Sequence, residues 1–155
     1  EDLYARLLES KITELIEHCE RHLAPEGDPL RRIGRLIAAR LAFFESNRDF
    51  FELYTREGIS CAPPASSPSW KAVHDAVERS VELGERILRD ARKAGAIVAR
   101  PDARTLAVLL TGMIHFLVRD WLLRGAPGSL KRHAGPVARL FLEGVRAGRP
   151  TASRP

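Results

Sequence analysis

Apolar residues recur along this chain with a period near 3.6, and an alternating period of two is nowhere sustained. That pattern builds helices and leaves nothing from which to make a sheet, so the expected fold is all-α, with about six helices. The first apolar face is Leu8, Ile12, Leu15, Ile16, Cys19 and Leu23. In the turn from Pro25 to Pro29, Asp28 is placed to cap the next helix, with Pro29 at its first position. That second helix runs to about Ser46. It carries Leu30, Ile33, Gly34, Ile37, Leu41 and Phe44 on one side, and Leu36 and Phe43 on another. It should be buried on two faces.

A short third helix, Arg48 to Glu57, brings Phe50, Phe51, Leu53 and Tyr54 and stops at Gly58. The Pro- and Ser-rich stretch Ile59 to Pro68 reads as a loop. Ser67 and Pro68 open a long fourth helix ending near Ala94 and Gly95. Its inner stripe is Trp70, Val73, His74, Val77, Val81, Gly84, Leu88 and Ala91. Asp102 caps a fifth, running to Arg124, whose apolar residues cover well over half its circumference. Such a helix must be covered twice, once by its own core and once by a partner. The last helix, about Ser129 to Ala147, presents Leu130, Ala134, Val137, Phe141, Leu142 and Val145, and Pro136 should kink or restart it. Residues 1–147 are read as one domain, and 148–155, lacking an apolar anchor, as a disordered tail.

Composition narrows the function classes. The chain has 155 residues, 45% hydrophobic and 29% charged, enough for one domain with its own core. Two cysteines, Cys19 and Cys61, exclude a disulfide framework and a four-cysteine zinc site. The longest apolar stretch, Leu106 to Leu123, is interrupted by Thr111, His115, Arg119 and Asp120, short of the roughly 18–20 apolar residues of a membrane span. No secretory leader opens the chain, so a cytoplasmic protein with no membrane contact is expected. Because Glu1 to Arg6 already reads as helix, an upstream portion is expected to be missing, by cloning or by disorder. The 25 Lys and Arg outweigh the 20 Asp and Glu, for a net charge of +5. They are scattered, however, with acids three or four residues away, as Glu78 and Glu82 flank Arg79 and Arg86. This describes a solvated helix surface and not the concentrated stripe of a nucleic-acid site.

No catalytic motif stands out, and an enzyme is not expected. Ser60, Cys61, Ser66 and Ser67 lie in the loop with no base tied to them, and no phosphate loop or metalloprotease pattern occurs. His18 and His22, four apart beside Cys19, could share a metal. No carboxylate completes that set, and a helix C-terminus favours cations without one, so neither metal nor cofactor is assigned. His74 and His115 interrupt apolar faces and are either core histidines satisfied by the backbone or polar anchors of a ligand. Phe43, Phe44, Phe50, Phe51, Tyr54, Trp70 and Phe116 hold most of the aromatic surface, as core filler or as the wall of an apolar pocket. Arg40 and Arg119 lie near apolar faces, where each must pair with an acid or meet an anionic ligand.

Four stretches then resemble the TetR family of transcriptional regulators. The opening EDLYARLLESKITELIEHCE resembles the helix that follows the family's DNA-binding domain. DPLRRIGRLIAARLAFFESNRDFFELYTREG looks like its next two helices. AGAIVARPDARTLAVLLTGMIHFLVRDWLLRG and SLKRHAGPVARLFLEGVRAG are similar to its last two. The resemblance spans Glu1 to about Gly148 and implies a ligand-sensing domain that forms a homodimer, with the last two long helices pairing as a four-helix bundle. Leu106, Leu110, Ile114, Val118, Trp121, Val137, Phe141 and Val145 are the interface candidates. Phe43, Phe50, Tyr54, Trp70, His74, Val77, Met113, His115 and Phe116 are the candidate pocket. The implied function is a repressor whose small hydrophobic or aromatic effector lowers operator affinity. Operator DNA would be reached only through an N-terminal helix-turn-helix that this sequence lacks. The alternatives are a helical dimerisation module without a small-molecule ligand, and a metal sensor.

Overall fold

The structure is a computed structural model in which residues 2–23, 27–56, 68–98 and 101–145 are described. The elements are α1 (Asp2–His22), α2 (Pro29–Ser46), α3 (Arg48–Arg56), α4 (Pro68–Lys93), α5 (Ala103–Leu123), a 3-10 turn (Leu130–His133) and α6 (Ala134–Val145). No β-sheet forms among the described residues, in keeping with the period of the sequence. The expected loop, Cys61, the start of α4 at Ser67 and the tail fall outside the described residues.

Helix α2 is the central element. Ile33, Ile37 and Leu41 are wholly buried and Leu36 nearly so, while Phe43 and Phe44 bury its second apolar side. Helices α1, α4, α5 and α6 all pack on it. Its start is set as the sequence suggests, the Asp28 carboxylate accepting the Leu30 N–H at 3.0 Å with Pro29 in the first turn. Asp102 caps α5 in the same way, accepting the Thr105 N–H at 2.6 Å.

Helices α4 and α5 are consecutive and antiparallel, and both end in a glycine-closed turn. Gly95 (φ 71°) donates to Arg92 O while Ala96 donates to Ala91 O. Gly125 (φ 78°) donates to Leu122 O while Ala126 donates to Trp121 O. This paired closure satisfies carbonyls that the helix leaves open, and it uses glycine because the backbone turns left-handed there.

The C-terminal stretch is two pieces, not one helix. Pro136 lies in the first turn of α6, where a missing N–H costs nothing, and the 3-10 turn precedes it. Glu45 of α2 holds that junction, accepting from the Ser129 hydroxyl and the Lys131 N–H, each at 2.9 Å. Burial alone would raise this carboxyl, but those donors and the Lys131 ammonium hold it below the usual range.

Helix α5 departs from expectation in one respect. At 21 residues, with an 18-residue window of mean hydropathy 1.6, it is long and apolar enough to cross a membrane by length and composition, despite the interrupting polar groups. Here it is a core helix. Leu106, Leu110, Ile114, Val118, Trp121 and Leu122 are buried within the chain.

Candidate functional site

The N-terminal half of α4 and the C-terminal half of α5 face α1 and α3 across a cavity of about 360 Å³. Helix α1 contributes Leu8, Ile12 and Leu15, spaced four and three residues apart and therefore on one face. Phe44 of α2 and Phe51 of α3 close one end, their rings packed edge to face at 4.6 Å. Val73, Val77 and Ser80 line the α4 wall. Thr111, His115, Val118, Arg119 and Leu122 line the α5 wall, and Tyr54 and Thr55 complete the surround.

The polar groups are not spread evenly. Thr111, His115 and Arg119 fall four residues apart and form a line down α5, opposite the aliphatic stripe of α1. His115 lies within the helical envelope, its ring 5.7 Å from Phe44, yet it is exposed where it opens onto the cavity. Burial, with the Arg40 charge behind it, lowers its pKa to about 4, so the ring is neutral at pH 7. Burial also raises the Tyr54 hydroxyl.

Behind the α4 and α5 walls stands Arg40, the largest fully buried side chain of the described residues. Its guanidinium donates to Thr111 Oγ1 at 3.0 Å, to the Ser80 carbonyl at 2.7 Å and, more weakly, to Ser80 Oγ at 3.5 Å. Its Nε has no partner, and no carboxylate among the described residues pairs with it. Cys19 also lies against it. The thiol is pushed up to about 11 by burial, against the pull of the Arg40 charge, so it is an inert core group at neutral pH.

The nine pocket candidates take different places. Tyr54, Val77 and His115 line the cavity. Phe43 is buried in the main core, with Phe50 and Met113 packed against it. Trp70 packs on a smaller cluster of Ala5, Leu8 and Val73, beside the cavity wall and not in it. His74 is exposed, and Phe116 is 74% exposed on the outer side of α5. Of the eight interface candidates, seven are buried in this chain's own core and Val137 is packed against it. The apolar residues that α5 and α6 leave open are instead Val108, Leu109, Phe116, Leu123 and Leu140. His18 and His22 lie with ring centroids 4.2 Å apart and their planes tilted by 34°, and the His22 Nδ1 lies 2.7 Å from the His18 carbonyl. Among the described residues, no group of three His, Cys, Asp or Glu converges.

Leu8, Ile12, Leu15, Ser80 and Thr111 line the cavity but were not among the pocket candidates. In the sequence the α1 residues read as an ordinary apolar face, and nothing in their spacing separates a lining stripe from a packed one. Thr111 carries a usable signal, since it stands four residues before His115 and eight before Arg119, on one side of a mostly apolar helix.

No protein-family model matches the sequence, and no curated protein does. Solved structures do match its fold. The fatty acid degradation regulator FadR of Bacillus halodurans superposes with a TM-score of 0.77 at 14% identity, covering 92% of this chain and 75% of that one. FadR of Bacillus subtilis, solved in complex with stearoyl-CoA, gives 0.75 at 15% identity over 92% of this chain and 75% of that one. The ketosteroid regulator KstR2 of Mycobacterium tuberculosis gives 0.71 at 14% identity, over 96% of this chain and 74% of its own. The chain thus shares the fold of these transcriptional regulators over nearly its whole length, which is the fold that the TetR resemblance implies.

Proposed function

We propose that this chain is the effector-binding and dimerisation domain of a TetR-like transcriptional repressor acting in the cytoplasm, and not an enzyme. The observation that carries this reading is the cavity, about 360 Å³ of mostly aliphatic and aromatic lining. Small-molecule sites run from roughly 300 to 1,000 Å³ and are lined in the same way. The effector is a small hydrophobic or aromatic molecule. Of the sequence candidates, Tyr54, Val77 and His115 touch it, with Ile12, Phe44 and Val73 beside them. A helical interaction module would have no use for such a hollow, and a metal sensor would need a ligand set that His18, Cys19 and His22 do not complete.

Signal leaves through α1. An effector seated in the cavity presses on Leu8, Ile12 and Leu15, and in the full-length protein α1 would link the sensor to a DNA-binding head. Two such heads must sit about 34–36 Å apart to enter successive major grooves. A tilt of α1 spoils that spacing, and the effector must favour the tilted state by about 1–3 kcal/mol, the usual size of such a coupling.

A second copy of the chain covers the outer face of α5 and α6. Phe116, Leu109, Leu123 and Leu140 stand open there, and a two-fold contact would use the same patch on both copies. Native mass spectrometry tests both parts. The expected spectrum is a dimer carrying a small non-covalent adduct or gaining one from an added apolar ligand. Phe116→Glu should return the monomer, and Val77→Trp, which fills the cavity, should keep the dimer and lose the adduct. A wild-type monomer overturns the dimer. Adducts that Val77→Trp retains overturn the pocket.

A further inference from the structure

The polar wall of the cavity carries hydroxyls, a neutral imidazole and a guanidinium. Among the described residues, no Asp or Glu lines it. Arg119 faces it with no carboxylate partner among the described residues, and the buried charge of Arg40 stands directly behind Ser80 and Thr111. A buried guanidinium without a counter-ion is costly, and a structure keeps one when something completes the charge.

The hydroxyls show where that completion would enter. Thr13 on α1, and Thr55 on the α3 side of the cavity, turn their hydroxyls back on the carbonyl four residues earlier, Glu9 O at 3.0 Å and Phe51 O at 2.8 Å. Thr111 does not. Its oxygen accepts from Arg40, and its own proton has no acceptor among the described residues. Ser80 Oγ is in the same position. With a cation at its oxygen, each hydroxyl keeps a proton free to donate to an acceptor in the cavity. The neutral His115 ring, one turn further along α5, adds another available N–H.

We propose that the effector is an organic anion, an apolar body carrying one carboxylate. The carboxylate accepts from Thr111, Ser80 and His115, with Arg40 as its buried counter-charge through the two hydroxyls and Arg119 alongside. The apolar body lies along Leu8, Ile12 and Val73. This rests on the cavity reading above and goes beyond it by fixing the sign and place of the ligand's charge.

Titration calorimetry at pH 7.4 with decanoate and 1-decanol separates the two. The alcohol is the more hydrophobic, so apolar burial alone favours it. The expected result is decanoate binding at least about tenfold more tightly, a gap of ~1.4 kcal/mol. Thr111→Val and Arg40→Met should each weaken decanoate far more than decanol and so erase most of that preference. Arg40→Met should also raise the melting temperature of the unliganded protein, because it removes a buried charge. If Arg40→Met does not fold, Thr111→Val decides alone. Equal or tighter binding of decanol overturns the anion while leaving the cavity reading in place. A decanoate preference that both variants keep overturns the placement of the charge. Binding of neither probe tells against the cavity reading as well.

Discussion

Helices α4 and α5 serve two interiors of different character. Toward the connector between them, Ile87, Leu88, Ala91, Leu106 and Leu110 pack against α2 in a filled core. Toward their other ends, Val73, Val77, Val118 and Leu122 face α1 across a hollow. The residue types are nearly the same in both places. The boundary falls where Arg40 reaches Ser80 and Thr111. Apolar pattern therefore decides which face of a helix turns inward, but whether that interior is filled depends on how partner helices meet.

The comparison breaks most visibly under truncation. Leu36→Ala, in the filled part, should cost about 2–5 kcal/mol, because the surrounding side chains cannot close the space. Ile12→Ala, on the cavity wall, should cost less than about 2 kcal/mol, since the atoms removed already border a space. Urea unfolding at constant slope measures both. Equal losses would mean the two interiors are packed alike.

Acid separates the regions by different groups. The folded pKa of His115, near 4, lies below its ordinary value of 6.5, so the unfolded chain takes up this proton first. Stability should then fall as pH drops from about 6.5 to about 4, trimmed by solvent screening because the ring opens onto the cavity. Glu45, at the junction ahead of α6, works below that window. Its stabilisation is complete above the ordinary carboxylate value near 4.3 and fades as pH falls through the lower folded value. Melting curves from pH 8 to pH 3 should lose the upper limb in His115→Gln and the lower limb in Glu45→Gln.

The smallest expected effect lies at the boundary. A Cβ on Gly84 would meet Ala107 Cβ at 3.7 Å and both Arg40 Nη2 and Leu36 Cδ2 at 3.8 Å, all ordinary contacts. Gly84→Ala should therefore raise stability by up to about 1 kcal/mol through helix propensity. A loss on thermal melting would show that the helices meet more tightly there than these distances allow.

Much of the fold was legible because its signals are local. Asp28 with Pro29, Asp102, and the glycines after α4 and α5 punctuate the chain through their own backbone chemistry. Pro136 marked a break whose form, a 3-10 turn ahead of α6, depended on the reach of Glu45 from α2. The site was less legible. Phe43 and Phe44 are adjacent buried aromatics with the same composition signal, yet only Phe44 also reaches the cavity wall. Leu106, Leu110 and Ile114 form the most apolar stripe of α5. The strongest apolar stripe of a helix goes to its own core, leaving the less regular Val108, Leu109 and Phe116 outside. Arg40 reads in the sequence as a charge in search of an acid. Only the arrangement of α4 and α5 around it reveals two hydroxyls instead.

The hollow also has a mechanical consequence. Space lined by aliphatic side chains is volume that the folded chain carries and the unfolded chain gives up, so compression favours unfolding. Hydrostatic pressure should act first on the α1 side of the molecule, while the filled core around α2 resists it. An occupant of the cavity would remove that volume difference, so the pressure at which the domain yields becomes a direct gauge of whether the space is full.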